Sequence, residues 1–416
     1  MNIAIIGGGI AGLAAAHLLS RQHRVTLFER HAQPGFTASS VALAGSGLRV
    51  DVPLRVFYRG CYPTLTRLYA ELGVATEPVS YATTFSGSDG RPYFRWRNLR
   101  LGPRSLPYVL PQDLARARTR RIVRGALRFH ALARRGVPAA QSLGDFVAEH
   151  GLPADFVEGL LLPTLATIAT CTLDDARAYP AAVVAGYLAG GVAGESVRRA
   201  TLGADDVAAR LLAGVARVQC QAGVEGVRHA PKGVQVLRRD GLEDFDHVVL
   251  ATQAQQALAL WQDATPQEAT VLRAFRCRTL EVVMHRDTRF MPARRADWSP
   301  VNARVAPGHE RPESTIWINR VQPALRDAAP LFQTVQPQRA PQEELVIGRA
   351  RFERPLVDAT SVQALAALQD LHAQPGRRVW LCGSYAQPGV PLLESAVRSA
   401  HVVAAAIAAT AQCAAR

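Results

Sequence analysis

Lysine is almost absent from this chain. Of 48 basic side chains in 416 residues, only Lys232 is a lysine and the rest are arginines. Any chemistry that needs a side-chain amine therefore has one residue to draw on. An Ala-, Arg-, Gly- and Pro-rich composition of this kind fits a bacterial, GC-rich source. Aromatic residues are also sparse, at 6%. The net charge of +14 is scattered, without the clustered basic and aromatic face of a nucleic-acid binder. A contact with an acidic partner, such as an acyl carrier or a peripheral membrane surface, stays open. The cysteines Cys61, Cys171, Cys220, Cys277, Cys382 and Cys413 lack Cys-x-x-Cys and Cys/His ligand spacings. That argues against a metal site and a dithiol motif, and free thiols suit a cytoplasmic protein. Long apolar runs are missing too. Leu160 to Leu173 is too short to span a bilayer and contains Pro163. Ile3 to Leu19 is apolar, but it has no basic start and holds Gly7, Gly8, Gly9 and Gly12. With 48% hydrophobic and 20% charged residues, the chain can bury a large core, and its length suits two domains.

The glycines near the N-terminus carry the first positive signal. Asn2 to Ile6 reads as a buried parallel strand, Leu13 to Leu19 as a helix, and Arg24 to Glu29 as a second strand ending in an acid. Between them lies Gly7-x-Gly9-x-x-Gly12, so the segment has the complete βαβ dinucleotide-binding pattern. Gly7 permits the tight turn, Gly9 lets the main chain approach a pyrophosphate, and Gly12 lets helix and strand pack closely. The helix start at Ile10 and Ala11 offers N–H groups and a favourable dipole to the phosphates. Glu29, followed by Arg30, stands where a carboxylate accepts hydrogen bonds from ribose hydroxyls and disfavours a 2′-phosphate.

The other end of the chain selects the dinucleotide. Arg377 to Ser384 reads as a strand running into a turn. Leu392 onward reads as a helix, with Pro391 close to its start. This pairing resembles the C-terminal flavin motif of the FAD-dependent amine oxidase and phytoene desaturase superfamily. The likeness extends to Val218–Leu237, with a turn at Pro231-Lys232-Gly233, and to the Phe245–Thr252 strand. It also takes in Val50 to Phe57, Leu143 to Phe146, Leu161 to Pro163 and Trp317 to Arg320. In these segments the chain resembles bacterial amine-oxidase-like flavoproteins. The resemblance implies non-covalent FAD, with Gly383 and Ser384 against the ribityl-pyrophosphate and Val224 holding adenine through its main chain. It also implies that Leu392 and Leu393 lie at the flavin pyrimidine, where a helix N-terminus favours negative charge. Two departures stand out. Phe36 replaces the second glycine of a Gly-Gly pair, and Pro53 stands where the family donates an N–H, so Leu54 or Arg55 must make that contact. No second glycine motif is present, since Gly190 to Gly194 has the wrong spacing. Electrons are therefore expected to come from an organic substrate and leave to oxygen or another acceptor.

The fold class expected is α/β: a Rossmann-like FAD-binding domain of three ββα layers with an inserted α+β substrate domain. The nucleotide domain is expected from residues 1–75, 200–275 and 370–416, and the substrate domain from 76–199 and 276–369. Residues 112–150 read as helical, and their arginines as a solvated face. Two groups typical of amine oxidases are missing: a lysine beside the flavin, and an aromatic ring at the position of Leu392. The substrate is therefore expected to be mainly apolar, and the reaction a dehydrogenation or desaturation by hydride transfer to flavin N5. A redox-neutral C=C isomerase, an atypical amine oxidase and a flavin protein without turnover are the alternatives. Arg55 and Arg320 are candidates for holding a substrate carboxylate, and Trp317 and Tyr385 for flanking the substrate.

Overall fold

The computed structural model describes residues 1–36, 38–43, 45, 47–101, 104–189 and 196–414. The Gly190–Gly194 stretch lies outside them.

Asn2–Ile6 is buried on both faces because its residues are apolar without alternation. It is the middle strand of a five-stranded parallel sheet. The order is Arg217–Gln219, Arg24–Phe28, Asn2–Ile6, His247–Leu250 and Val379–Leu381. One face is covered by helices Ile10–Ser20, Gly203–Leu212 and Leu393–Ala414, which share a core through Leu13, Val207, Leu211, Val397 and Ala400. The other face carries the antiparallel strands Val224–Ala230, Gly233–Arg238 and Gly241–Phe245. Helices Ala254–Leu260, Pro266–Ala274 and Ala359–His372 pack beside them. This layering is the Rossmann-like α/β fold that the sequence led us to expect. One boundary differs: Ala364, Leu368 and Leu371 belong to this core, so its third segment starts before residue 370. The reason is the apolar side chains of Ala359–His372, which share this core with Val248, Val379 and Leu381.

The other half is built on an eight-stranded sheet. Its order is Val346–Pro355, Cys277–His285, Phe332–Val335, Glu313–Trp317, Val301–Arg304, Thr83–Ser86, Pro92–Leu101 and Arg104–Tyr108. Its pairings are antiparallel except that of Val301–Arg304 with Thr83–Ser86. A helical cap with its own core of Phe129, Phe146, Phe156, Leu162 and Leu165 lies above it. Helix Ala117–Ala133 turns Ile122, Gly125 and Phe129 inward, while most of its arginines face solvent. Arg118 and Arg121 pair with Asp155. Among the described residues no helix is long and apolar enough to cross a membrane.

Candidate functional site

The carboxyl ends of the parallel strands converge on one crevice, the usual ligand position in such sheets. Gly7, Glu29, Ala251 and Gly383 each follow one of the strands and line it. Gly7 has φ +107°, a conformation that L side chains rarely adopt. A Cβ on Gly12 would stand 1.9 Å from the Gly7 carbonyl oxygen. That contact explains why the strand and helix can meet only at a glycine. A Cβ on Gly9 would meet nothing within 4 Å. Its missing side chain leaves open space where the helix beginning at Ile10 presents N–H groups without intrahelical acceptors. Ile10 and Ala11 line the same space.

Glu29 is buried and fully engaged. Oε2 accepts from the Gly8 N–H at 2.8 Å and the Gly35 N–H at 3.1 Å. Oε1 accepts from the His31 N–H at 2.9 Å and lies 2.8 Å from His31 Nδ1. A carboxylate has about four acceptor sites, so a ribose hydroxyl needs one of these partners to leave. The His31 ring is half exposed and is the partner free to swing away. Arg30 and Val224 line the crevice nearby, as do Gly383, Ser384, Leu392 and Leu393 at its far end.

The crevice continues without a break into a chamber, the two together enclosing 1160 Å³. That exceeds the roughly 300–1,000 Å³ of a single small-ligand pocket, leaving room for a dinucleotide and a second molecule. One face of the eight-stranded sheet forms the floor. Side chains two apart on a strand share a face, and lining pairs recur at that spacing: Thr83 and Phe85, Trp96 and Asn98, Val301 and Ala303, Ser314 and Ile316. They stand in register across the sheet, with Thr83 opposite Trp96 and Val301, and Val301 opposite Ile316. Thr164, Thr167, Ile168 and Leu188 come from the helical cap. Tyr58, Tyr62 and Tyr187 also line the cavity, the Tyr58 and Tyr62 rings meeting edge to face, and burial raises the pKa of all three phenols, which keeps them neutral.

The structure corrects several sequence-based placements. Leu54 lines the cavity, but its N–H donates to Gln333 Oε1 at 3.0 Å. It is therefore not available to a cofactor. Arg55 also lines the cavity, its guanidinium 4.2 Å over the Phe36 ring and donating to the Phe36 and Pro53 carbonyls. Burial lowers its pKa, and Asp51 partly offsets this. Phe36, the departure from the family's glycine, thus serves as a platform for Arg55. Trp317 is a core residue: it packs with Met291, Phe332 and Trp298 and is absent from the cavity wall. Arg320 is exposed and lies over Trp317, away from the cavity. Tyr385 lies behind Gly383, where a Cβ would stand 2.6 Å from Tyr385 Cε1. It packs on Phe275 with its hydroxyl unpartnered. Trp317 and Tyr385 fill core space because large rings close to a strand end complete the packing between layers.

Lys232 is exposed at the hairpin turn, and Cys382 is buried beside Ser399. The sequence reading missed Arg354, the tyrosine trio and the paired threonines. Their signal is weak: Arg354 is one of several charged residues on Val346–Pro355, and Tyr58 and Tyr62 stand in a loop before the helix Pro63–Glu71.

Three comparisons bear on this geometry. Residues 5–72 match the model of the NAD(P)-binding Rossmann-like domain family. The tRNA 5-methylaminomethyl-2-thiouridine biosynthesis bifunctional protein MnmC of Magnetococcus marinus is 43% identical over 82 residues. That match spans 19% of this chain and 12% of the relative's length, so only a fraction of MnmC is represented. Among solved structures, cyclohexylamine oxidase from Brevibacterium oxydans superposes with a TM-score of 0.70 at 17% identity, over 99% of both chains. The CLA-producing fatty acid isomerase from P. acnes does so with a TM-score of 0.69 at 17% identity, over 96% of this chain and 97% of that one. A putrescine oxidase bound to putrescine gives 0.65 at 15% identity, over 98% and 99%.

Proposed function

We propose that this chain, which has the fold of the FAD-dependent amine oxidase-like superfamily, is an FAD-dependent oxidoreductase acting on a mainly apolar small molecule. The observation that carries the reading is the continuity of the glycine-loop crevice with the sheet-floored chamber. The residues at hand fit the cofactor. Gly9 leaves the open cradle for a pyrophosphate, Glu29 stands at the ribose end, and Leu392 and Leu393 at the start of the last helix stand at the ring end. Bound there, FAD supplies hydride acceptance from a neighbouring carbon.

The protein's share is positioning and water exclusion. The floor formed by Phe85, Trp96, Val301 and Ile316 gives an apolar chain a dry surface. The neutral phenols of Tyr58, Tyr62 and Tyr187 offer hydrogen bonds without charge. Protonated amines are poorly suited to this chamber. Arg55 and Arg354 both line it, and like charge in a desolvated space repels. Of the lining acids, Glu29 is committed to the main chain, and Glu353 is exposed and accepts from Gln256. A substrate screen with the flavin-loaded protein tests the proposal: apolar chains should bleach the flavin anaerobically. Bleaching by primary amines alone would overturn the choice of substrate. A product of unchanged mass would replace oxidation with isomerisation.

A further inference from the structure

Arg354 carries a charge that the fold leaves unanswered. It sits on the edge strand Val346–Pro355 and lines the chamber. Its Nε is enclosed and has no hydrogen-bond partner. The titratable groups that act on it are Arg55, Tyr62 and Tyr179, with no carboxylate among them, and burial lowers its pKa. The nearby acids are committed elsewhere. Asp175 pairs with Arg278 at 2.6 Å, and Arg278 is the residue opposite Arg354 in the sheet. Glu353 precedes Arg354 on the strand and binds Gln256 at 2.8 Å. A cation only partly open to solvent and without a counter-charge is costly to keep.

We infer that Arg354 anchors the carboxylate head group of the substrate, whose apolar chain lies on the sheet floor. The inference rests on the flavin oxidoreductase reading for the role of the chamber, and on the unpaired guanidinium for the head group. An arginine fork matches a carboxylate with two parallel hydrogen bonds. Arg55, on the same cavity wall, adds to the positive field, while its own donors are held by the Phe36 and Pro53 carbonyls. Arg354 is thus a binding and specificity residue, and an apolar alcohol or amine of the same length is a poorer ligand than the acid.

The test uses the purified full chain, with its flavin content recorded first. Dodecanoate and dodecanol are titrated calorimetrically into the native protein, Arg354→Met and Arg354→Lys. The native protein should prefer dodecanoate. Arg354→Met should lose about 10- to 100-fold in dodecanoate affinity and keep its dodecanol affinity, with Arg354→Lys between the two. Ligand-free Arg354→Met should melt no lower than the native protein, because a half-buried charge without a counter-charge is removed. Equal dodecanoate affinity in native and Arg354→Met protein would overturn the anchor. So would a marked fall in melting temperature with loss of both ligands, which signals a structural arginine. Flavin present without carboxylate preference removes the anchor and leaves the oxidoreductase. Carboxylate preference lost in Arg354→Met, in a protein that takes up no flavin, does the reverse.

Discussion

Glu394 reaches across the molecule to close the start of a helix that begins at Pro63. Its carboxylate accepts from the Thr64 N–H at 3.1 Å and the Leu65 N–H at 2.9 Å. Those N–H groups belong to the first turn of Pro63–Glu71, where a negative charge is favourable. Since Glu394 follows Leu393 at the start of the last helix, the cap ties that helix to the segment carrying Tyr58 and Tyr62. Glu394→Ala should cost about 1–2 kcal/mol, read as a lower melting temperature. Glu394→Gln, which keeps one acceptor oxygen, should lose less. Equal stability of all three proteins would contradict the role.

Two glycines of one loop should behave in opposite ways. Gly12→Ala puts a methyl 1.9 Å from the Gly7 carbonyl oxygen, against backbone that cannot yield, and should prevent stable folding. Gly9→Ala meets no atom within 4 Å, and φ of −68° suits any residue. Its ligand-free melting temperature should match the native one while FAD binding falls steeply. Calorimetry on apoprotein and flavin titration separate the two effects. Undiminished FAD binding by Gly9→Ala would count against the cradle.

The loop was legible in the sequence because its physics is local: strand, turn and helix lie within about one βαβ unit. The last helix was legible for the same reason. The chamber was not, because its floor depends on register between distant strands, such as Val301 opposite Thr83 and Ile316. Sequence alone cannot assign Arg354 a face before that pairing is known. Trp317 and Tyr385 misled for a related reason: a ring beside a strand end faces the site or the core according to layers set elsewhere.

Tyr385 supplies a test of its core placement. Its hydroxyl is buried without a partner, so Tyr385→Phe removes an unsatisfied group and should be neutral or stabilising within about 1 kcal/mol. Turnover should be unchanged. A large fall in turnover with intact stability would return Tyr385 to the reacting centre.

Acid should unfold this protein through three histidines. His247, His285 and His372 are each held down to a pKa of about 4 by burial. Each also accepts an N–H at a ring nitrogen: from Trp380 at 3.2 Å, Asp287 at 3.1 Å and Leu381 at 3.2 Å. In the unfolded chain they protonate near pH 6.5. Between about pH 6.5 and 4 the unfolded chain therefore binds more protons, and stability falls as pH is lowered. Each histidine contributes up to about 1.4 kcal/mol per pH unit. Above pH 6.5 this contribution is complete. Melting temperatures from pH 8 to 4 should show the decline, and a flat profile would refute it.

The most direct test of the central claim is the visible absorption of the purified protein before and after incubation with FAD. One flavin per chain, released into the supernatant by acid precipitation and perturbed by an apolar ligand, is the expected result. A colourless protein that takes up no FAD at saturating concentration would contradict the account.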